Sequence, residues 1–93
     1  MRLASLGPMT RSNDPVLLDL KGLNCPLPAL RTRKALRRMK PGERLLVECT
    51  DPLAAIDVPH CVFECGDSLE SQSAEGEVLR FLIRRKAEAP GGP

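Results

Sequence analysis

Short stretches in which apolar side chains occupy every second position predict strands. In the first, Val16, Leu18 and Leu20 fall on one face, because side chains of a strand point alternately to its two sides. In the last, Phe81 and Ile83 alternate in the same way. The four predicted strands cover Val16–Leu20, Glu43–Thr50, Ser68–Ser73 and Val78–Arg85.

An apolar stripe at helical spacing predicts a first helix from near Pro26 to about Lys40. Pro41-Gly42 ends it, because proline cannot continue the hydrogen-bond ladder and glycine adopts the positive φ common past a helix end. The stripe consists of Ala29, Thr32, Ala35, Leu36 and Met39, and the opposite side carries Arg31, Lys34, Arg37 and Arg38.

A second helix is predicted from Leu53 to about Cys65. Asp51-Pro52 is a start signal, with an acidic N-cap followed by proline at the first helical position. Pro59 is expected to break or kink this helix, and Gly66 to end it.

The elements alternate in the order βαβαββ, with residues 74–77 joining the last two strands as a hairpin. This order predicts an α/β fold, a two-layer α/β sandwich with a four-stranded mixed sheet and two helices on one face. We expect one domain over residues 16–86, a mobile N-terminal arm over 1–15 and a flexible C-terminal tail over 87–93.

Composition excludes several classes of protein. The chain of 93 residues is 42% hydrophobic and 28% charged, a composition that excludes a disordered chain. Its apolar runs are far shorter than the ~20 residues of a membrane-spanning helix. Only 2% of residues are aromatic and the net charge is +2. We therefore expect neither membrane insertion nor direct binding of nucleic acid.

Charge is unevenly distributed along the chain. Seven of the 14 basic residues lie between residues 31 and 44, whereas eight of the 12 acidic residues lie between residues 48 and 77. This separation predicts one basic and one acidic face, an arrangement that suits docking to protein partners.

The four cysteines are interpreted as reduced thiols. Residues 1–15 lack the apolar core of a secretory signal, which predicts a cytoplasmic protein in which disulfides are rare. No Cys-x-x-Cys knuckle is present, so no metal is expected. The weaker alternative is a metal site built from His60, Cys61 and Cys65, with Cys49 as a fourth ligand; otherwise these three cysteines act as small buried hydrophobes.

Residues 22–28, GLNCPLP, place Cys25 beside a helix start. The helix begins either at Pro26, with Cys25 as N-cap, or at Pro28 after a stiff lead-in. The unpaired amides of a helix N-terminus favour negative charge, so we expect the pKa of Cys25 to lie below the ~8.5 of a free thiol. Spacing alone leaves a second interpretation open, in which Cys25 only fills space at this junction.

The surroundings of Cys25 in the sequence restrict its chemistry. The only histidine, His60, lies about thirty-five positions away, which argues against a protease-like dyad. No resolving cysteine for a dithiol cycle and no glycine-rich phosphate loop are present, so we expect no cofactor. A lone activated thiol suits a carrier that holds sulfur as a persulfide and passes it to another protein's thiolate.

The segment resembles the TusA/SirA-like sulfur-carrier family, whose motif is a Cys-Pro-x-Pro opening the first helix. The resemblance covers about Val16 to Lys86. The matching segments, in order, are 18–23 (LDLKGL), 25–28 (CPLP), 33–34 (RK), 39–43 (MKPGE), 51–52 (DP), 57–59 (DVP) and 80–85 (RFLIRR).

The resemblance implies a cytoplasmic sulfurtransferase-type carrier rather than an independent catalyst. Cys25 would accept sulfane sulfur from a cysteine desulfurase or a rhodanese and pass it to an acceptor protein for tRNA thiolation, cofactor biosynthesis or sulfur oxidation. Pro26 and Pro28 would shape the loop around it. The carrier is expected to be a monomer.

Partner contacts are expected from side chains near Cys25 on the first helix, namely Leu27, Leu30, Arg31, Arg33, Lys34 and Arg38. Leu27 stands where the best-known carriers have an acidic residue, which leaves the partner open. The alternative function is a non-catalytic regulatory or protein-interaction module that uses the basic first helix.

Overall fold

Four strands and two helices form the described part of the protein. The computed structural model describes residues 14–86, so the predicted arm, apart from Asp14 and Pro15, and the predicted tail lie outside the described residues. The elements are β1 (Val16–Leu20), α1 (Leu27–Arg37), β2 (Arg44–Cys49), α2 (Ala54–Cys65), β3 (Ser68–Glu75) and β4 (Val78–Arg84).

The strands form one mixed sheet in the order β1-β2-β4-β3. β1 pairs in parallel with β2, whereas β4 is antiparallel to both β2 and β3. Because β1 and β2 are parallel, their carboxyl ends meet at one edge of the sheet. The segment before α1 and the segment before α2 therefore begin side by side, and this edge holds the candidate site.

Both helices cover the same face of the sheet, and they also contact each other. Val47 pairs with Phe81 and Leu45 with Ile83, and all four side chains are at most 1% exposed. The sequence prediction of an α/β sandwich is confirmed. The buried core consists of Leu20, Leu36, Leu45, Val47, Cys49, Ala54, Val58, Val62, Phe81 and Ile83.

The ends of α1 differ slightly from the prediction. The helix ends at Arg37 rather than near Lys40, because the N–H groups of Arg38 and Met39 donate to the carbonyls three residues earlier and tighten the last turn. Its N-terminal boundary is Pro26, and the first helical residue is Leu27.

A break or kink is predicted at Pro59; the break is wrong, because the helix runs continuously from Ala54 to Cys65. Val58 and Val62, on either side of the proline, are buried in the core. Their packing maintains the helix although proline removes one backbone hydrogen bond. Gly66 ends the helix as predicted, in the left-handed conformation with φ of 80°.

The hairpin between β3 and β4 is shorter than predicted. β3 extends to Glu75, which pairs with Val78, so that only Gly76 and Glu77 form the turn. Gly76 has a φ of 61°, the conformation that a two-residue hairpin turn requires.

Candidate functional site

Cys25 lies on the exposed loop that joins β1 to α1. The loop is fastened to the segment after β2 by two backbone donors. The N–H of Gly22 donates to Oγ1 of Thr50 at 2.9 Å, and the N–H of Cys25 donates to Oδ2 of Asp51. The Cys25–Pro26 peptide bond is cis. The Cys25 side chain is thus exposed while its backbone is fixed to the edge of the sheet.

The carboxylate of Asp51 connects the starts of both helical segments. Its Oδ2 accepts the Cys25 N–H, and its Oδ1 accepts the N–H of Leu53 at 3.1 Å. The predicted start of α2 at Leu53 is right to within one residue, but the predicted acidic N-cap is wrong, because the N-terminal boundary is Leu53 and no side chain caps it. The Asp51 carboxylate stabilises the turn that leads into α2 and positions the backbone of Cys25.

The Cys25 thiol faces a second carboxylate. Its Sγ donates to Oδ2 of Asp57, in the first turn of α2, at 2.9 Å. This hydrogen bond, some desolvation and the negative charges of Asp57 and Asp51 raise the pKa of the Cys25 thiol above its ordinary value. The predicted lowering of this pKa is therefore wrong.

The two prolines explain why the helix N-terminus does not stabilise a thiolate here. Pro26 and Pro28 have no backbone N–H, and the N–H of Leu27 donates to the carbonyl of Asn24 at 2.8 Å. The first turn of α1 consequently has fewer free amide donors than an ordinary helix start, whose unpaired N–H groups attract anions. Asp57 determines the electrostatics of the sulfur instead.

The side chains around Cys25 divide into buried and exposed sets. Pro28 is buried, so the second proline packs inward. Leu27 and Leu30 are 41% and 54% exposed, which agrees with the predicted apolar surface beside Cys25. They provide contact area that the fold itself does not use.

Three of the predicted basic side chains line one groove. Arg31, Lys34 and Arg38 surround it together with Leu18 and Ala35. None of the three forms an ion pair within residues 14–86. Their charge thus remains available to an acidic partner.

Arg33 differs from this group. Its Nη2 donates to Oε1 of Glu64 on α2 at 3.0 Å. The guanidinium therefore lies between the two helices, and its charge is partly neutralised within the protein.

Several carboxylates of the predicted acidic face are paired with basic side chains. Glu48 contacts Lys21 and Arg80, and Glu70 contacts Arg84. Carboxylates without a cationic partner in residues 14–86 include Asp51 and Asp57, the two that face Cys25. Acidic character is therefore retained at the site itself.

Sequence reasoning missed an apolar surface on α2 and the role of the two aspartates. Leu53, Ile56 and Phe63 are 53%, 69% and 80% exposed. Ile56 and Phe63 are seven positions apart and therefore lie on one side of the helix. The seven-residue spacing of Ile56 and Phe63 could have indicated a shared apolar face. Such a face on a helix is more often buried than exposed.

The described residues hold no evident metal site. Within residues 14–86, no three His, Cys, Asp or Glu side chains cluster in a way that would hold a metal ion. In the same range, no helix combines the length and the apolar character needed to cross a membrane.

Comparisons with known proteins agree with this architecture. The family model described as "Sulfurtransferase TusA" matches residues 16–85. The chain is 41% identical over 68 residues to the sulfur carrier protein TusA of Allochromatium vinosum, a match that covers 73% of this chain and 90% of that protein.

Two Bacillus subtilis proteins are also similar. The putative sulfur carrier protein YrkI is 39% identical over 69 residues, covering 74% of this chain and 92% of YrkI. The putative sulfur carrier protein YrkF is 36% identical over 73 residues, covering 78% of this chain but only 40% of YrkF. The chain thus spans less than half the length of YrkF.

A crystal structure of a SirA-like protein from Desulfitobacterium hafniense has the same fold. The TM-score is 0.66 at 20% sequence identity, and the match covers 77% of this chain and 99% of that one.

Proposed function

The chain belongs to the TusA family of sulfurtransferases, and from this premise we propose that it carries sulfane sulfur as a persulfide on Cys25. The observation that supports this most directly is an exposed thiol whose backbone is fixed at the edge of the sheet and whose proton is held by Asp57. The names of the relatives support a role as a sulfur carrier.

Loading is a thiol exchange at sulfur. The Cys25 sulfur attacks the terminal sulfur of a donor persulfide, a new S–S bond forms, and the donor cysteine leaves as a thiolate. Oδ2 of Asp57, at 2.9 Å, accepts the Cys25 proton as the bond forms. The products are the Cys25 persulfide and the donor thiolate.

Unloading follows the same path in reverse. An acceptor thiolate attacks the terminal sulfur of the Cys25 persulfide, the S–S bond breaks, and the Cys25 sulfur regains its proton from Asp57. Because a thiol with a raised pKa is a poorer leaving group, the persulfide is retained until an acceptor is correctly placed. This property suits a carrier.

The donor is proposed to be a cysteine desulfurase or a rhodanese in the cytoplasm, and the acceptor a protein of tRNA thiolation, cofactor biosynthesis or sulfur oxidation. Leu27 and Leu30 provide an apolar contact beside the sulfur. Arg31, Lys34 and Arg38 provide a basic groove for acidic side chains of the partner.

The test is sulfur uptake from a cysteine desulfurase and cysteine, followed by mass spectrometry of the intact protein. We expect an adduct of one sulfur atom that reduction removes. Cys25→Ser abolishes it, whereas Cys61→Ala and Cys49→Ala retain it. Normal uptake by Cys25→Ser would show that another residue carries the sulfur.

The basic groove favours a second candidate function, a non-catalytic interaction module. In that case Cys25→Ser leaves partner binding and the protein's function in the cell unchanged. Substitution of Arg31 and Arg38, in contrast, abolishes both. The same two sets of variants therefore separate the two functions.

A further inference from the structure

Two cysteines outside the candidate site lie one turn apart on α2. Cys61 and Cys65 are four residues apart in the unbroken helix, so their side chains project from the same side. Burial, and next the charge of Cys65, raise the pKa of the Cys61 thiol to about 11. The sulfur chemistry proposed for Cys25 uses neither of them.

The two thiols differ in environment. Cys61 is 2% exposed, and its Sγ donates to the carbonyl oxygen of Ala29 on α1 at 3.5 Å. Cys65 is partly exposed at the last position of the helix. An oxidant in solution therefore reaches Cys65 before Cys61.

A cationic side chain lies beside the pair. Arg33 is close enough to both sulfurs that the negative charge of the Cys61 thiolate, the hydrogen bond to Glu64 and the charge of the Cys65 thiolate all raise the pKa of the guanidinium. By the same interaction the guanidinium offsets part of the rise that burial causes in the pKa of the Cys61 thiol.

The backbone spacing suits a disulfide. Residues four apart in a helix have Cα atoms about 6 Å apart, within the range of about 4.4–6.8 Å that disulfides span. Their Cβ atoms, about 5–6 Å apart on a helix, must approach by roughly 1–2 Å to reach the ~3.8 Å of a disulfide. Cys65 ends α2 and precedes Gly66 in the left-handed conformation, so we place this movement in the terminal turn.

We propose that Cys61 and Cys65 form a second, peroxide-sensitive site that oxidises to a disulfide within α2. The Cys65 thiolate attacks one oxygen of the peroxide, an S–O bond forms, the O–O bond breaks, and water or an alcohol leaves after protonation. The Cys61 sulfur then attacks the sulfur of the Cys65 sulfenic acid, and the S–OH oxygen leaves with the Cys61 proton as water. The peroxide is reduced and the two thiols are oxidised.

The resulting disulfide is expected to be easily reduced, because the closure strains the bond and strained disulfides have more oxidising potentials. The modification is thus reversible by cellular thiols. It is also independent of whether Cys25 carries sulfur.

The experiment uses the full-length Cys25→Ser protein, so that the exposed thiol forms no disulfide between molecules. The protein is treated with hydrogen peroxide, denatured, alkylated and cleaved before aspartate. Residues 57–66 then form one peptide that contains Cys61 and Cys65 and no other cysteine.

We expect this peptide to be unalkylated and lighter by two hydrogen atoms. After further cleavage behind Phe63 its halves stay joined until a reductant is added. Cys61→Ala and Cys65→Ala each abolish the joined form, whereas Cys49→Ala, which truncates an equally buried cysteine, leaves it intact. Two results would overturn the proposal. One is that the peptide is doubly alkylated at peroxide concentrations that oxidise Cys25 in the unmodified protein. The other is that Cys65 forms a sulfinic acid while Cys61 remains a free thiol.

Discussion

The Sγ of Cys25 donates a hydrogen bond to Oδ2 of Asp57 at 2.9 Å, from the loop before one helix to the first turn of the next. This contact holds the thiol in its protonated form. It makes the nucleophile dependent on a residue 32 positions away in the sequence.

Asp57→Asn is expected to make Cys25 more reactive near neutral pH. The carboxylate raises the pKa of the thiol, so its removal increases the thiolate fraction, by about tenfold for each unit that the pKa falls. The rate of alkylation by iodoacetamide as a function of pH gives this pKa directly.

The same variant should gain nothing at strongly alkaline pH, where the thiol is ionised in both proteins and a lower pKa means a weaker nucleophile. Asp14→Asn, at the opposite edge of the sheet, is the matched control with an unchanged profile. An Asp57→Asn profile that coincides with that of the unmodified protein would refute the proposed influence of this carboxylate.

Asp51→Asn is expected to lower the free energy of unfolding by about 1–2 kcal/mol. The two carboxylate oxygens accept the N–H groups of Cys25 and Leu53 separately. The amide that replaces them has one oxygen and one NH2 group that only donates, so one of the two N–H groups loses its acceptor. Urea denaturation measures the loss.

Asp14→Asn removes the same charge and should leave the unfolding free energy within about 0.5 kcal/mol. If both substitutions have equal effects, net charge rather than the bridging contact determines the result.

Alkaline pH is expected to destabilise the protein through its buried thiols. Burial raises the pKa of Cys49 and of Cys61 from the ordinary 9.0 to about 11. The stability that these neutral thiols contribute is therefore complete below pH 9 and is lost as pH rises through 11. Within that window the slope approaches about 1.4 kcal/mol per pH unit for each thiol.

Denaturation curves at a series of pH values test this dependence. Cys49→Ala and Cys61→Ala should each reduce the slope, and the double variant should reduce it further. An undiminished slope in the double variant would assign the alkaline loss to other groups.

The basic groove predicts salt-dependent loading. Arg31→Ala and Arg38→Ala should slow sulfur uptake from the donor at low ionic strength and leave the unfolding free energy within about 0.5 kcal/mol, because neither side chain forms an ion pair in residues 14–86. The measurement is the initial rate of uptake as a function of salt.

Arg37→Ala is the matched control, since Arg37 is exposed on the same helix but does not line the groove. Arg33→Ala should instead lower stability by less than about 1 kcal/mol through loss of the contact with Glu64. Equal slowing by Arg37→Ala would indicate general attraction rather than a docking groove.

Periodicity was sufficient to predict the architecture, because the alternating and helical patterns each determine which face of an element is buried. Pro59 shows the limit of local rules: the burial of Val58 and Val62 on both sides outweighs the loss of one hydrogen bond. The packing energy of Val58 and Val62 depends on the tertiary structure and cannot be inferred from the local sequence.

The candidate site was predictable in position but not in electrostatics. The Cys-Pro-x-Pro segment locates Cys25 at a helix start, yet its prolines remove two of the amide donors on which the predicted pKa depended. The approach of Asp57 follows from the parallel pairing of β1 with β2 and the contact between the helices. Such a long-range relationship cannot be obtained from the spacing of residues around Cys25.

The attachment of the Cys25 backbone to Asp51 has a consequence for the order in which partner proteins bind. Asp51 follows the central strand β2 closely. The Cys25 sulfur is therefore held close to the rigid sheet rather than on a mobile segment. Under the proposed function a donor and an acceptor would both have to reach the same small area. We therefore expect sequential transfer, in which the first complex dissociates before the second forms.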